Sequence, residues 1–361
     1  MKETLSKYIP DLGLSLAKFS GNELLERVGD EVIRDVVASI LCGGNVRTLT
    51  EGLTQRRVAL SNAALLVAYL RASKEIKNLP EKLPAIISRE LTNSKISQAH
   101  KIFLQWFIGL TGKSIQNVLR SDKERLETYL TALEQAITNA VKESQTEFGD
   151  LQMSVVLDKE SHKLDWLAML QIFAGVGAQT LAIRGSEKSM YGKLFEKLIL
   201  GSLLSILDFE LIDPQKSTLS KNVFWLSQRE NKRESDATLL YKPGVGARFD
   251  IGFIGPGNTE ISLDKVSRFE REMEFGKQHH FMSTIIIVDR IGEGSRITEL
   301  AKKIDGNIVQ MSMNFWVREV AQILQTKVGF KHEILKLSNE ESIKYVQERM
   351  KQIDLGKFIN K

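Results

Sequence analysis

The sequence predicts an α/β fold: a mainly helical N-terminal region, residues 1–185, followed by a mixed-sheet core with helices on its faces, residues 186–361. Three observations carry that expectation. Apolar residues in the first half recur every three to four positions, the period of a helix with one buried face. From Asp208 the texture changes to short β-rich runs separated by Gly- and Pro-containing turns. Ser283-Thr284-Ile285-Ile286-Ile287-Val288 is apolar enough for a central strand covered on both faces.

The elements follow in order. Asn22 is placed to cap a helix through Leu24, Leu25, Val28, Val32, Val36 and Val37 that stops at Gly43-Gly44. Helical runs follow at 59–73, 96–108, 115–120 and 122–143; the last has Leu126, Leu130, Leu133 and Ile137 on one face. A short strand is expected at Met153–Leu157, a helix from Leu164 to Ile183, and a central helix from Met190 to Leu207. Strands are then expected at Phe209–Ile212, Val223–Leu226, Thr238–Tyr241, Arg248–Ile254 and Thr259–Leu263. Pro243-Gly244-Val245-Gly246 and Gly255-Pro256-Gly257-Asn258 separate the last three into a meander. A polar helix at Val266–His280, the buried strand, a helix at Ile297–Ile304, a strand at Ile308–Met311 and helices at 316–327 and 339–353 complete the chain.

Composition narrows the function. A net charge of +5 fits a polyanionic partner without requiring one. The single cysteine, Cys42, excludes an internal disulfide and a multi-cysteine metal site, and suggests a reducing compartment. The first residues lack the apolar core of a signal peptide, and no apolar run looks long enough to cross a bilayer, so a cytoplasmic location is expected.

The chemistry concentrates between Ala247 and Lys265. Asp250 sits in one expected strand and Glu260 opens the next, across Gly255-Pro256-Gly257-Asn258. Neighbouring strands lie about 4.8 Å apart, so carboxylates on one face can meet at one cation. Hard oxygen ligands suit Mg²⁺, which can polarise a phosphodiester and help generate hydroxide. Gly252 and Gly255 leave the backbone bare beside them, where a bulky ligand can approach.

This segment resembles the PD-(D/E)XK nucleases, the superfamily of most type II restriction endonucleases. Their core has a helix bearing a Glu, a hairpin whose second strand carries the Asp, and a third strand carrying Glu-X-Lys; a helix and a further strand follow. The resemblance covers roughly residues 185–290. It places Glu196 on the first helix, Asp236 at the opening of the first strand, Asp250 as the motif Asp and Glu260 as the motif Glu. Two positions after Glu260 stands Ser262, not Lys. Lys265 is the nearest cation to orient or activate water, and a bend at the strand end would bring it to the site. Asp264 is a further acidic candidate. The resemblance implies Mg²⁺-dependent, site-specific hydrolysis of double-stranded DNA that leaves 5′-phosphate ends. It also implies a homodimer on a palindromic site and a companion DNA methyltransferase. The alternatives are a structure-specific repair or recombination nuclease, and a catalytically inactive DNA-binding module on the same core.

Other signals are weaker. Gly109-Leu110-Thr111-Gly112-Lys113-Ser114 lacks the first glycine of a P-loop, since Phe107 stands there. His279-His280 at a helix end fits the helix dipole better than a metal site. Gln228-Arg229-Glu230-Asn231-Lys232-Arg233 carries side chains that can read base edges, although a polar loop would look the same.

Overall fold

The computed structural model describes residues 3–17, 23, 29–112, 123–214, 216, 221–227, 235–252, 281–289 and 306–359. They fall into two units: Met1–Ser20 with Gly52–Lys188, and Gly21–Glu51 with Ser189–Lys361. Residues 21–51, grouped by the sequence with the N-terminal half, therefore belong to the second unit.

In the first unit the helices are α1 (Asp11–Ala17), most of α3 (Val46–Glu75), α4 (Leu79–Leu91), α5 (Gln98–Phe107), α6 (Lys123–Phe148) and the start of α7 (Trp166–Ile206). Their apolar faces meet in one core that contains Leu65, Tyr69, Phe103, Leu104, Trp106 and Phe107. The Phe103 ring lies 5.4 Å from that of Trp106 and 5.8 Å from that of Phe107. Helix α4 was not expected, because Pro80 and Pro84 argue against a helix. Pro80 sits in the first turn, where its missing N–H costs nothing. Pro84 deprives the Pro80 carbonyl of its helical donor, and Gln171 Nε2 supplies one at 2.7 Å.

A separate two-stranded antiparallel ribbon joins this unit: β1 (Met153–Leu157) and β2 (Glu160–Leu164). Asp158 and Lys159 make its turn with φ of 52° and 68°, the left-handed pair of a tight hairpin. Neither residue is the usual Asn or Gly, so β2 escaped the sequence reading.

The two helices expected between Leu164 and Leu207 are one, α7, because Gly185 is tolerated inside it. Within α7, Trp166–Gly185 is apolar and long enough to cross a membrane by length and composition, with mean hydropathy 1.5. That corrects the expectation that no run was long enough. In the fold, Ala168, Ile172, Ala178 and Ile183 of this stretch are buried, and Gln171 accepts from the Tyr69 hydroxyl at 3.2 Å. The later part, Leu198 to Leu207, is buried on several sides: Leu198, Ile199, Leu200, Leu203 and Leu204 have no exposed surface.

The second unit is built on a six-stranded mixed sheet, in the order β3 (Glu210–Leu211), β4 (Val223–Leu226), β5 (Ala237–Lys242), β6 (Val245–Gly252), β7 (Phe281–Val288), β8 (Gly306–Gln310). β4, β5 and β6 are antiparallel, whereas β6, β7 and β8 are parallel. Leu239, Ala247, Phe249, Ile251, Ile285, Ile287 and Val309 are completely buried. Helices α2 (Asp30–Leu41), α8 (Trp316–Val328) and α9 (Asn339–Met350) accompany the sheet. Trp316 Nε1 donates to the Ile40 carbonyl at 2.9 Å, and Arg34 donates to the Met350 carbonyl at 2.9 Å. Those bonds and the buried face of α2 explain why this segment leaves the N-terminal half.

Candidate active site

The site grows from the β5–β6 hairpin. A Pro243-Gly244 turn with Gly244 at φ 76° joins the two strands, and a bulge between Leu240 and Lys242 shifts the pairing by one residue to the register of the hairpin. Thr238 pairs with Arg248 and Ala237 with Phe249. One step further out, Asp236 stands opposite Asp250. Side chains of directly opposed residues share a face, with Cβ atoms about 5 Å apart. Asp250 is buried, with 7% of its surface exposed. Asp236 is half-buried at the mouth of the hairpin.

Backbone contacts fix Asp236 from both sides. Its carbonyl accepts from Ser227 N, which continues the ladder to β4. Its Oδ2 accepts from Ile251 N at 2.9 Å, beside Asp250 on β6. Ser235 and Thr238 hydroxyls lie 3.1 Å apart on the approach. The Asp236 carboxylate is therefore held at the end of the sheet, against the β6 backbone. That bond caps the strand end: the Asp236 carboxylate takes the ladder position opposite the Ile251 N–H.

This pair lies where the antiparallel and parallel halves of the sheet meet. β6, β7 and β8 all end on that side, and ligands of open α/β sheets bind beyond the carboxyl ends of parallel strands. A Cβ added at Gly252, which is itself buried, would meet no heavy atom within 4 Å among the described residues. Asp289, directly after β7, is also buried and was not singled out from the sequence. Its only signal was an acid ending an apolar run. Among the described residues no three of His, Cys, Asp and Glu come together as a ligand set.

Of the residues expected at the site, the structure places Asp250 on β6 and brings Asp236 to it. Glu196 is half-buried on α7. Glu260, Ser262, Asp264, Lys265, the His279-His280 pair and the 228–233 cluster lie outside the described residues. The meander differs from expectation. Both sides of β6 are taken, by β5 and by β7, so the antiparallel triplet is β4–β5–β6.

The comparisons with known proteins agree on one family. A model of the CfrBI restriction endonuclease family matches residues 30–296. The type II restriction enzyme CfrBI of Citrobacter freundii is 37% identical over 352 residues, 97% of each chain. No solved structure matches. These matches define the class of a type II restriction endonuclease, a site-specific deoxyribonuclease acting on double-stranded DNA. The chain belongs to the CfrBI restriction endonuclease family.

Proposed function

We propose that this enzyme is a PD-(D/E)XK nuclease that cuts both strands of a short DNA site with Mg²⁺, and that Asp250 is its central metal-binding carboxylate. The observation that carries the proposal is the opposition of Asp236 and Asp250 at the mouth of the hairpin. Two acids on one face fit a hard, oxygen-seeking dication. Without a cation, like charges directly across two strands destabilise the pair.

Asp250, with Asp236 or Glu260, would hold the metal. When bound, such an ion polarises the scissile phosphate and makes water a better nucleophile at neutral pH. The chain's own groups position the reactants. Lys265 orients or deprotonates the attacking water, and Glu196 supports the site from its helix. In-line attack leaves a 5′-phosphate. A homodimer would match the two-fold symmetry of a palindromic site. A companion methyltransferase would protect the same sequence in the cytoplasm. The N-terminal region, residues 1–185, would serve as dimer interface or DNA clamp, and residues 186–361 as the nuclease core.

The observed strand order favours a second placement of the motif, one strand earlier than the sequence suggests. β4–β5 then form the hairpin, with Asp236 at the start of its second strand. β6 is the third strand, with Asp250 as its acid and Gly252 two positions on, where the lysine would stand. Both placements share Asp250.

The test is a digest of phage DNA with Mg²⁺ and with EDTA, using the wild type and the Asp250→Ala, Asp236→Ala and Glu260→Ala variants. Discrete fragments with Mg²⁺ alone, absent for Asp250→Ala, are expected. Full cutting by Asp250→Ala would overturn the site. Loss on Asp236→Ala with Glu260→Ala active would fix the motif on β5 and β6; the reverse result would return it to the later strand. Shifted but uncut DNA for the wild type would leave only a binding module.

A further inference from the structure

The carboxylate pair explains cutting and not the choice of sequence. The β1–β2 ribbon offers surface chemistry of the other kind. It is an independent two-stranded sheet, paired from Met153↔Leu164 to Leu157↔Glu160. Its inner face packs against the first unit: Val155, Leu157 and Leu164 join the core, and His162 is buried. Its outer face is open. Ser154 and Val156 on β1 alternate outward with Ser161 and Lys163 on β2, all exposed, and exposed Gln152 precedes them. The Ser154 and Ser161 hydroxyls lie 3.1 Å apart. Val156 stands among these polar groups with 68% of its surface exposed.

We propose that this outer face reads base edges in the major groove of the DNA substrate. A two-stranded ribbon fits that groove in width, and each side chain matches a base-edge partner. The Gln152 amide suits adenine, the Lys163 ammonium suits guanine oxygen and nitrogen, and serine hydroxyls suit either. Val156 supplies the aliphatic contact that a thymine methyl requires. A single exposed valine is ordinary on a protein surface; its place at the centre of this polar ribbon is what matches a groove.

Charge and rigidity agree. Lys159 at the tip and Lys163 on the face are cationic. The acids at the tip are matched: Lys74 Nζ lies 2.6 Å from Glu160 and Arg71 lies 3.9 Å from Asp158. Residues 153–164, turn included, together with Arg71 and Lys74 hold four cations and two acids, a net charge of +2, which favours a polyanion. The same contacts tie the tip to α3, so the ribbon meets DNA pre-shaped, with little ordering entropy left to lose.

This inference rests on the family's site-specific activity and not on the assignment of Asp250. The experiment keeps the two apart by measuring binding in Ca²⁺. The ends left by the wild-type enzyme on phage DNA define its site. A duplex carrying that site and a scrambled duplex are then titrated with the wild type, Gln152→Ala/Lys163→Ala, Ser154→Ala/Ser161→Ala and Val156→Ala. The double variants should lower the specific-to-nonspecific affinity ratio by about tenfold or more, with Val156→Ala smaller. Binding to the scrambled duplex should stay as in the wild type for the serine and valine variants and fall less than specific binding for Gln152→Ala/Lys163→Ala, which loses one cation; the melting curves should not change. An unchanged ratio would overturn the proposal. So would equal losses on both duplexes, which mark phosphate contacts, or a change of oligomeric state in Val156→Ala, which marks a contact with a second copy.

Discussion

The two units handle buried carboxylates in opposite ways. In the first unit Glu90 is 3% exposed, and its two oxygens accept from the backbone N–H groups of Leu5 and Ser6. Gln171, also buried there, is bonded to Tyr69 and to Pro80. In the second unit the buried Asp250 lies on the strand next to a second acid, Asp236, whose carboxylate is bonded to Ile251 N. A buried acid matched by N–H donors is a structural device, because it satisfies groups that would otherwise be lost to desolvation. Two acids close together on neighbouring strands repel, and proteins keep such a pair where a ligand relieves it. That difference separates a scaffold from a site without reference to activity.

The largest effect that tests the contrast is Asp250→Asn. Cleavage should fall by about 10³-fold, the scale seen when one preorganised charge contact is removed from a reacting group. The metal-free protein should meanwhile gain about 0.5–1 kcal/mol, because a like-charge cross-strand pair disappears. Initial rates on plasmid DNA and thermal melts in EDTA read the two quantities. A variant that loses activity and stability together would make Asp250 a structural residue.

Next comes the packing of the first unit. Phe103 is fully buried between Trp106 and Phe107. Phe103→Ala should cost about 3–5 kcal/mol through lost transfer energy and a residual cavity. Chemical denaturation would measure it. Cleavage well below the new melting temperature should persist, since no charge of the site is altered; an inactive but folded variant would sink the contrast.

Glu90→Gln is the counterpart of Asp250→Asn, the same loss of charge with the opposite sign expected. One oxygen acceptor remains and one becomes an NH₂ facing a backbone donor. Stability should fall by about 1.5–3 kcal/mol, with cleavage unaffected. If the two substitutions move the melting temperature in the same direction, the distinction between the two carboxylates is lost.

Much of this was legible in the sequence, and the limits have physical causes. Met153–Leu157 and Val223–Leu226 appear as strands with the bounds expected of them, because strand pattern is local. Asp250 was singled out through its setting in such a run, and the structure places it on β6. α4 was not found, since the donor that makes Pro84 tolerable comes from Gln171, far along the chain. β2 was missed because Asp158 and Lys159 adopt left-handed backbone without the residues that advertise it. The order of strands around β6 depends on which chain segment reaches its open edge, and periodicity carries no such information. The placement of Asp236 across from Asp250 needed the register, which the bulge between Leu240 and Lys242 shifts by one residue from that of the turn and which no local pattern announces.

The smallest effect concerns pH and lies away from the carboxylates, in the second unit. The His332 side chain is 4% exposed, stacked on Phe330 at 5.6 Å and edge-on to Tyr345 at 5.9 Å. Its Nε2 is 3.0 Å from Asp208 Oδ2, and its Nδ1 accepts from Ile334 N at 3.2 Å. That network assigns the proton to Nε2 and leaves the ring neutral. Burial lowers its pKa below the ordinary histidine value, while Asp208 and Glu333 pull upward and Arg349 pulls down. A lowered value means that the unfolded chain takes up the proton first. Stability is therefore held above about pH 6.5 and lost as pH falls below it, toward the lower folded pKa. Melts of the wild type should decline between about pH 7 and about pH 5 more steeply than those of His332→Gln, which cannot titrate there. Parallel curves would show that the ring takes its proton as easily folded as unfolded. The acid sensitivity of this unit would then belong to its carboxylates, where the Asp250→Asn melts, repeated over the same range, would find it.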